Sequence, residues 1–131
     1  MNQNRYRILI TGSRTWSLPD FILEQLERTI RLHPSASGYT LVHGDAPGAD
    51  NMAAWAAEKL RDEKKIDIEI EVYSAEWGKY GSAAGPIRNA KMVSLGADVC
   101  LAFQKNYSSG TANCMKLAGE AGINILLFHI P

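Results

Sequence analysis

The sequence predicts an α/β fold, a doubly wound three-layer sandwich whose mostly parallel five-stranded sheet lies between helices. Five short apolar segments alternate with four segments of helical periodicity. Residues 8–10, 99–103 and 125–128 are apolar at consecutive positions, which is typical of central parallel strands. Residues 66–72 alternate apolar with acidic side chains and so predict an edge strand with one solvent-exposed face. With this strand at an edge, the strand order 3-2-1-4-5 follows.

The first strand, residues 8–11, is followed by signals for a helix start. Ser17 is the expected N-cap, with Pro19 in the first turn and Asp20 at the capping-box position. Apolar residues then recur at helical spacing, namely Leu18, Ile22, Leu26 and Ile30. We expect this helix to end before Pro34.

The remaining elements repeat the same alternation. Residues 39–43 form the predicted second strand, and an alanine-rich helix over residues 49–61 follows it. Residues 74–84 are predicted to be irregular. Two further helices, over residues 85–96 and 110–121, flank the fourth strand.

Composition limits the class of protein. Hydrophobic residues make up 46% of the 131 positions, enough for one packed core and a single domain over residues 1–131. No apolar run approaches the ~20 residues of a membrane helix, and the first residues lack an apolar signal segment, so we expect a cytoplasmic protein. Lys and Arg total 14, as do Asp and Glu, which argues against nucleic acid as the main partner. Cys100 and Cys114, without metal-like spacing, predict reduced core thiols and no metal site.

Small residues follow three of the predicted strands where each leads into a helix. A helix start presents unpaired backbone N–H groups, and small side chains let a phosphate approach them. The three joints are Gly12-Ser13-Arg14, Gly44-Asp45-Ala46-Pro47-Gly48-Ala49-Asp50 and Ser108-Ser109-Gly110-Thr111. The first and third follow strands one and four, between which the strand order reverses and ligands bind in such sheets. The sequence therefore predicts a phosphate-bearing ligand at this cleft.

The residues of the cleft have functional and ordinary interpretations. Gly110 and Thr111 are expected to offer backbone N–H groups and a hydroxyl to phosphate; otherwise Ser109 caps an ordinary helix. Arg14 and Arg88 are candidates for bidentate phosphate binding or solvated surface residues. The cation of Arg88 lies near a helix start, against the dipole, which favours a functional role.

The second joint carries weaker signals. Gly44 and Gly48 would allow a tight turn and a close approach to the ligand, although their spacing matches neither the dinucleotide fingerprint nor a P-loop. Asp45 is a candidate for holding a ribose hydroxyl. Asp50 either shapes the ribose side of the site or complements the helix dipole. Asn89 is expected to close the pocket.

Of three further side chains near the cleft, two are open to two interpretations each. Trp77 either stacks on a base or covers the sheet as an apolar lid. Glu76 is either a catalytic acid or a solvated side chain. His43 ends a strand and is expected to be a core histidine.

Five motifs occur in order along nearly the whole chain. They are Gly12-Ser13-Arg14, the run from His43 to Asp50, Glu76-Trp77, the run from Ala84 to Met92, and Ser109-Gly110-Thr111-Ala112. Together they resemble the SLOG superfamily, and within it the small YspA-like, YpsA-related proteins. The resemblance implies a Rossmann-like fold and a nucleotide or nucleotide-derived ligand similar to ADP-ribose.

The chain departs from the hydrolases of this superfamily at one catalytic position. Phosphoribohydrolases in the superfamily carry P-G-G-x-G-T-x-x-E, whose glutamate acts with an arginine. The resemblance makes Arg88 the counterpart of that arginine, but Cys114 occupies the glutamate position and Tyr107-Ser108-Ser109 replaces Pro-Gly-Gly. A thiol does not stabilise a ribosyl cation or activate water as a carboxylate does.

We therefore expect a protein that binds a nucleotide or ADP-ribose-like ligand as a sensor, carrier or sequestering protein, with no other certain cofactor. The alternative is an N-glycosidase or phosphoribohydrolase in which Arg88 holds phosphate and Glu76 or Asp45 is the acid–base group. A DNA-processing type of nucleic-acid module is the third possibility, which the neutral charge disfavours. A homodimer is expected by analogy with similar folds.

Overall fold

The computed structural model describes residues 4–131, which form a five-stranded sheet in the order β3-β2-β1-β4-β5. Every pair of neighbouring strands is parallel. The strands are Arg5–Gly12 (β1), Gly38–His43 (β2), Ile68–Val72 (β3), Val99–Lys105 (β4) and Asn124–Ile130 (β5). The predicted α/β fold class and the strand order 3-2-1-4-5 are confirmed.

Helices connect consecutive strands and cover both faces of the sheet. They are Pro19–Arg31 (α1), Ala49–Lys64 (α2), Trp77–Tyr80 (α3), Ala84–Ser94 (α4) and Ser109–Glu120 (α5), and a 3₁₀ helix covers Gly81–Ala83. The pair α1 and α2 pack together, and so do α4 and α5. The segment predicted to be irregular, residues 74–84, thus contains α3 and the 3₁₀ helix.

Alternation along β1 places the two helix pairs on opposite faces of the sheet. Ile8 and Ile10 belong to a core that also contains residues of α1 and α2. Leu9, which points the other way, packs with residues of α4 and α5. Cys100 and Cys114 are free, buried members of this second core.

The two edges of the sheet test the strand predictions separately. Within residues 4–131, β3, with its alternating pattern, pairs only with β2 and is an edge strand as predicted. The prediction that residues 125–128 form a central strand is wrong, because β5 is the other edge, and Leu126 and Leu127 are 42% and 49% exposed. A run of apolar residues reports β-structure but not the number of neighbouring strands.

The start of α1 differs from the prediction. Leu18 rather than Ser17 is the N-cap, and it makes no side-chain capping hydrogen bond. The buried Trp16 instead fixes the chain here: its indole N–H donates to the Leu18 carbonyl at 3.0 Å, and its backbone N–H donates to that of Ser13. Burial of the indole therefore overrides the local capping signal.

No helix within residues 4–131 combines the length and apolarity needed to cross a bilayer.

Candidate functional site

A cleft of about 570 Å³ opens at the carboxyl ends of β1 and β4, where the strand order reverses. The predicted ligand residues that line it are Gly12, Ser13, Arg14, Asp50, Trp77, Arg88, Asn89, Ser108, Ser109, Gly110 and Thr111. Lining residues that the sequence reasoning missed are Thr11, Thr15, Ala46, Ser82, Gly85, Pro86, Lys105, Tyr107 and Asn113. The structure thus brings the three small-residue joints together at one edge of the sheet.

Ser108, rather than Ser109, caps α5. Its Oγ accepts hydrogen bonds from the backbone N–H of Thr111 at 3.3 Å and from the Thr111 hydroxyl at 3.0 Å. Thr111 itself is 1% exposed. The amide and hydroxyl of Thr111, both predicted phosphate donors, are therefore already engaged within the protein.

The unpaired donors at the start of α5 belong to the two residues that precede Thr111. In the part of the chain that the structure describes, the backbone N–H groups of Ser109 and Gly110 have no acceptor. The Ser108 hydroxyl accepts two hydrogen bonds and keeps its own proton to donate. A Cβ built on Gly110 would meet no atom within 4 Å, so the approach to these donors is open. Together they form a cradle for an anion.

Three cations line the cleft: Arg14, Arg88 and Lys105. Over residues 4–131, none of them has a carboxylate oxygen within 4.0 Å, although six other ion pairs do meet that distance. Lys105 was not predicted. Its position in the sequence could have predicted it, because Lys105 ends β4, a buried strand, at the carboxyl edge of the sheet.

Hydrogen bonds fix the Arg88 side chain against the loop between β2 and α2. Its Nη1 donates to the backbone carbonyl of Gly44 and, at 3.5 Å, to that of Tyr73. Its Nε donates to the side-chain oxygen of Asn89 at 2.9 Å. No hydrogen bond uses Nη2 among the described residues. Arg88 thus holds the loop with one nitrogen and keeps another available.

Asn89 joins the beginnings of α4 and α5. It is 4% exposed, and its Nδ2 donates to the Gly110 carbonyl at 3.3 Å and to the Asn113 side chain at 3.0 Å. Because its oxygen already accepts from Arg88, all its polar atoms are engaged. The geometry makes Asn89 a residue that positions Arg88 and the α5 cradle.

Gly48 and Ala49, both predicted ligand residues, lie outside the lining of the cleft. Gly48 has φ +78°, and a Cβ there would lie 2.5 Å from the carbonyl oxygens of Ser13 and Arg14. The backbone N–H of Ala49 donates to the Ser13 carbonyl at 3.2 Å, and a Cβ on Gly12 would overlap the Ala49 side chain. These residues clamp two loops together and shape the cleft from behind.

Asp50 is the carboxylate that lines the cleft, and it is only 5% exposed. Its Oδ2 accepts hydrogen bonds from the backbone N–H groups of Gly44, at 3.1 Å, and Ala46, at 3.3 Å. Its Oδ1 is buried and has no partner in the described part of the chain. Burial raises the pKa of Asp50 from 3.8 to about 6, against the opposing effects of the two amides and the Arg88 charge.

The other two carboxylates that were predicted to act in the cleft, Asp45 and Glu76, lie outside its lining, as does Gly44. Asp45 accepts a hydrogen bond from the Ser74 hydroxyl at 3.3 Å. Glu76 is exposed at the start of α3. These residues were predicted because they lie close in sequence to other site residues. The folded conformation of the chain decides which carboxylate faces the cleft.

His43 and Cys114 are both core residues. The Nδ1 of His43 accepts from the backbone N–H of Asp45 at 3.0 Å, and burial lowers the pKa of the imidazole. Cys114 is fully buried outside the cleft. A hydrogen bond with Cys114, together with burial, raises the pKa of the Cys100 thiol. Cys114, which occupies the position of the hydrolase glutamate, thus packs in the second core.

Trp77 forms a wall at the mouth of the cleft and is 47% exposed. Its ring packs over the start of α4, where a Cβ on Gly85 would be 3.3 Å from it. The guanidinium carbon of Arg14 lies 5.5 Å from the ring centre.

The described residues contain no cluster of three or more His, Cys, Asp or Glu that could hold a metal ion.

Comparison with known proteins identifies the family. The model of the family described as YspA, cpYpsA-related SLOG matches residues 6–80, more than half of the chain. Gene 61 protein of Mycobacterium phage D29 is 43% identical over 122 residues, which cover 93% of this chain and 95% of the phage protein. Membership of this family suggests a function related to nucleotides. The resemblance carried by the five motifs is thus confirmed, and the chain belongs to the YspA, cpYpsA-related SLOG family.

Proposed function

We propose that the protein binds a nucleotide or a nucleotide-derived ligand such as ADP-ribose, as a sensor, carrier or sequestering protein. One observation carries this proposal: Arg14, Arg88 and Lys105, three cations without carboxylate partners among the described residues, line one cleft. Gathering like charges costs free energy unless an anion joins them. A phosphate supplies that anion.

The start of α5 is the expected seat of one phosphate. The backbone N–H groups of Ser109 and Gly110 and the hydroxyl of Ser108 supply uncharged donors, and Arg88 adds a charged donor through Nη2. Arg14 and Lys105 line the same cleft and would receive a second phosphate.

The cleft also suits the rest of a nucleotide. Its volume of about 570 Å³ falls in the range of small-molecule sites. The half-exposed ring of Trp77 at the mouth would stack on a base. Three cations line this cleft while the formal net charge of the chain is zero, which suits a small ligand better than a long polyanion.

An N-glycosidase or phosphoribohydrolase is the second candidate, favoured by Asp50. Burial raises the pKa of this carboxyl to about 6, near the value that suits a general acid or base at neutral pH. In such a reaction water would add to C1′ of the ribose, the glycosidic C–N bond would break, and the departing base would take the proton. Asp50 replaces Glu76 and Asp45 in this role because it alone of the three lines the cleft.

One experiment separates the two candidates. Purified protein is incubated with AMP, NAD and ADP-ribose, and both the retained and the released species are analysed by mass spectrometry. Intact ligand retained by the protein supports binding alone, whereas free base and ribose phosphate support hydrolysis. If nothing is retained and nothing is cleaved at millimolar ligand, both candidates are wrong.

A pair of variants tests the phosphate seat. Gly110→Glu should weaken binding of AMP at least 100-fold, since it places a carboxylate against the phosphate at short range. Gly110→Gln adds the same bulk without the charge and should stay within about tenfold of the wild-type affinity. Both should fold, because a Cβ at this position meets open space. Equal losses in both variants would mean that the phosphate lies elsewhere.

The homodimer and the cytoplasmic location stay predictions from the sequence. Analytical ultracentrifugation at micromolar concentration would test the oligomeric state directly.

A further inference from the structure

The two oxygens of the Asp50 carboxylate have very different surroundings. Oδ2 accepts from two backbone N–H groups, those of Gly44 and Ala46. Oδ1 is buried and has no partner within residues 4–131, although the residue lines the cleft. Buried polar atoms almost always have a hydrogen-bond partner, so the unpaired oxygen calls for an explanation.

The local structure does not need this second oxygen. Oδ2 alone serves both amides, so the carbonyl oxygen of an asparagine would do the same work without a buried charge. The loop is also held independently by the hydrogen bond from Arg88 to the Gly44 carbonyl and by the close contact of Gly48 with Ser13. What remains unexplained is a buried acceptor on a residue that lines the cleft.

The chemistry of the ligand decides which of its groups this acceptor would meet. An ionised carboxylate only accepts, so its partner must be a donor. Phosphate oxygens only accept and are negative, so they cannot donate to an ionised carboxylate and are repelled by it. The donors of a nucleotide are its ribose hydroxyls and, in some bases, an amino group. Trp77, which would hold the base, stands at the exposed mouth, whereas Asp50 is 5% exposed.

We propose that Asp50 Oδ1 accepts a hydrogen bond from a ribose hydroxyl and so makes the cleft select ribose-containing ligands over their deoxyribose counterparts. This inference rests on the proposed nucleotide-binding function. It assigns the specificity to one atom, which allows a test by a near-isosteric substitution.

The test compares AMP and ADP-ribose with their 2′-deoxy and 3′-deoxy counterparts by calorimetry. Wild-type protein should bind one of the deoxy compounds about tenfold or more weakly, the usual effect of losing a hydrogen bond to a charged group. Asp50→Asn keeps an oxygen for the two amides and places an NH₂ group where Oδ1 was. The preference should then shrink several-fold, since at most a neutral hydrogen bond from the NH₂ group to the hydroxyl replaces the charge-assisted one.

Asp45→Asn is the matched control. It removes the same charge from the loop that precedes Asp50, and asparagine tolerates the positive φ of 59° at this position. Because Asp45 lies outside the lining of the cleft, this variant should keep the wild-type preference for ribose.

The outcomes separate the inference from the function on which it rests. If wild-type protein binds the ribose and deoxyribose compounds equally, the inference is wrong and the binding function stands. The inference is equally wrong if loss of the base amino group, tested with IMP, matters while the hydroxyls do not. If wild-type protein binds neither AMP nor ADP-ribose, the proposed function fails as well. The wild-type comparison decides even if Asp50→Asn does not fold.

Discussion

The arginines of the amino-terminal half of β1 differ sharply from the cations at the carboxyl ends of the strands. Arg5 donates to the Asp67 carboxylate at 3.1 Å, and Arg7 donates to both oxygens of Glu71, each at 3.0 Å. These charges are matched in pairs by carboxylates just before β3 and within it, across the intervening β2. Such pairs belong to the fold itself and leave little for a ligand to do.

At the other end of the sheet the charges are left unmatched. Arg14, Arg88 and Lys105 lack carboxylate partners in the chain that the structure describes, and Asp50 carries an unpaired buried oxygen. Gathering like charges and burying an unpaired carboxylate oxygen each cost stability in the free protein. The difference teaches that the two arginines of β1 serve the fold, whereas the cleft gathers three cations and an unpaired buried oxygen where a ligand is proposed to bind.

Of the substitutions that test this contrast, Asp50→Asn should change the free energy of unfolding the most. Because burial raises the pKa of Asp50 from 3.8 to about 6, the folded state holds a proton between these values that the unfolded state has lost. Stability therefore falls as pH rises through this window, by up to about 3 kcal/mol. Urea unfolding near pH 7.5 should show the variant more stable than wild type by up to that amount, and the gain should vanish near pH 4.

The sign of that change is what matters. A variant that is less stable than wild type near pH 7.5 would mean that the Asp50 charge holds the fold together, and the contrast between the two ends would collapse.

Arg88→Ala should weaken binding of AMP by about 1.5–3 kcal/mol, because a charge-assisted hydrogen bond to phosphate is lost. Adenosine, which has no phosphate, should bind the variant and the wild type with similar affinity in the same calorimetric titration. Arg28→Ala, which removes a charge from the exposed surface of α1, serves as the control. An equal loss for adenosine would show that Arg88 acts only by holding the Gly44 carbonyl.

Glu71→Gln probes the matched end and should have the smallest effect. The hydrogen bond from Arg7 lowers the pKa of Glu71, so the pair stabilises the fold above about pH 4.5 and this contribution is lost as pH falls through the lowered value. The half-exposed pair should contribute about 0.5–1 kcal/mol at neutral pH, measured by urea unfolding.

This pH dependence is opposite in sign to that of Asp50→Asn. The affinity for AMP should not change in Glu71→Gln, and a clear change would mean that the two ends of the sheet are coupled.

Much of the fold was predictable because side-chain periodicity reports burial directly. The alternation over residues 66–72 identified an edge strand, and from it followed the strand order and the position of the cleft. The apolar run over residues 125–128 was wrongly interpreted as a central strand, although the predicted order placed it at an edge, because such a run does not report the number of neighbouring strands. Ser17 failed as a cap because the buried indole of Trp16 holds the chain at that point.

The site was predictable at the level of loops and less so at the level of atoms. The small-residue joints do meet at one cleft. Local sequence patterns do not contain the direction in which each side chain points in the folded protein. They therefore could not predict which serine caps α5, which acidic residue of the second joint faces the cleft, or that Lys105 lines it. Asp45 and Asp50 are five positions apart, yet only the turn of the chain separates a surface carboxylate from a buried one.

The sequence by itself determined the order of strands and helices and the loops that would approach one another, because apolar spacing and small residues act locally on the chain. Only the tertiary structure decided which charges would find partners. Pairing depends on residues far apart along the chain, such as Arg7 with Glu71, and on enclosure that raises the free energy of a lone carboxylate such as Asp50.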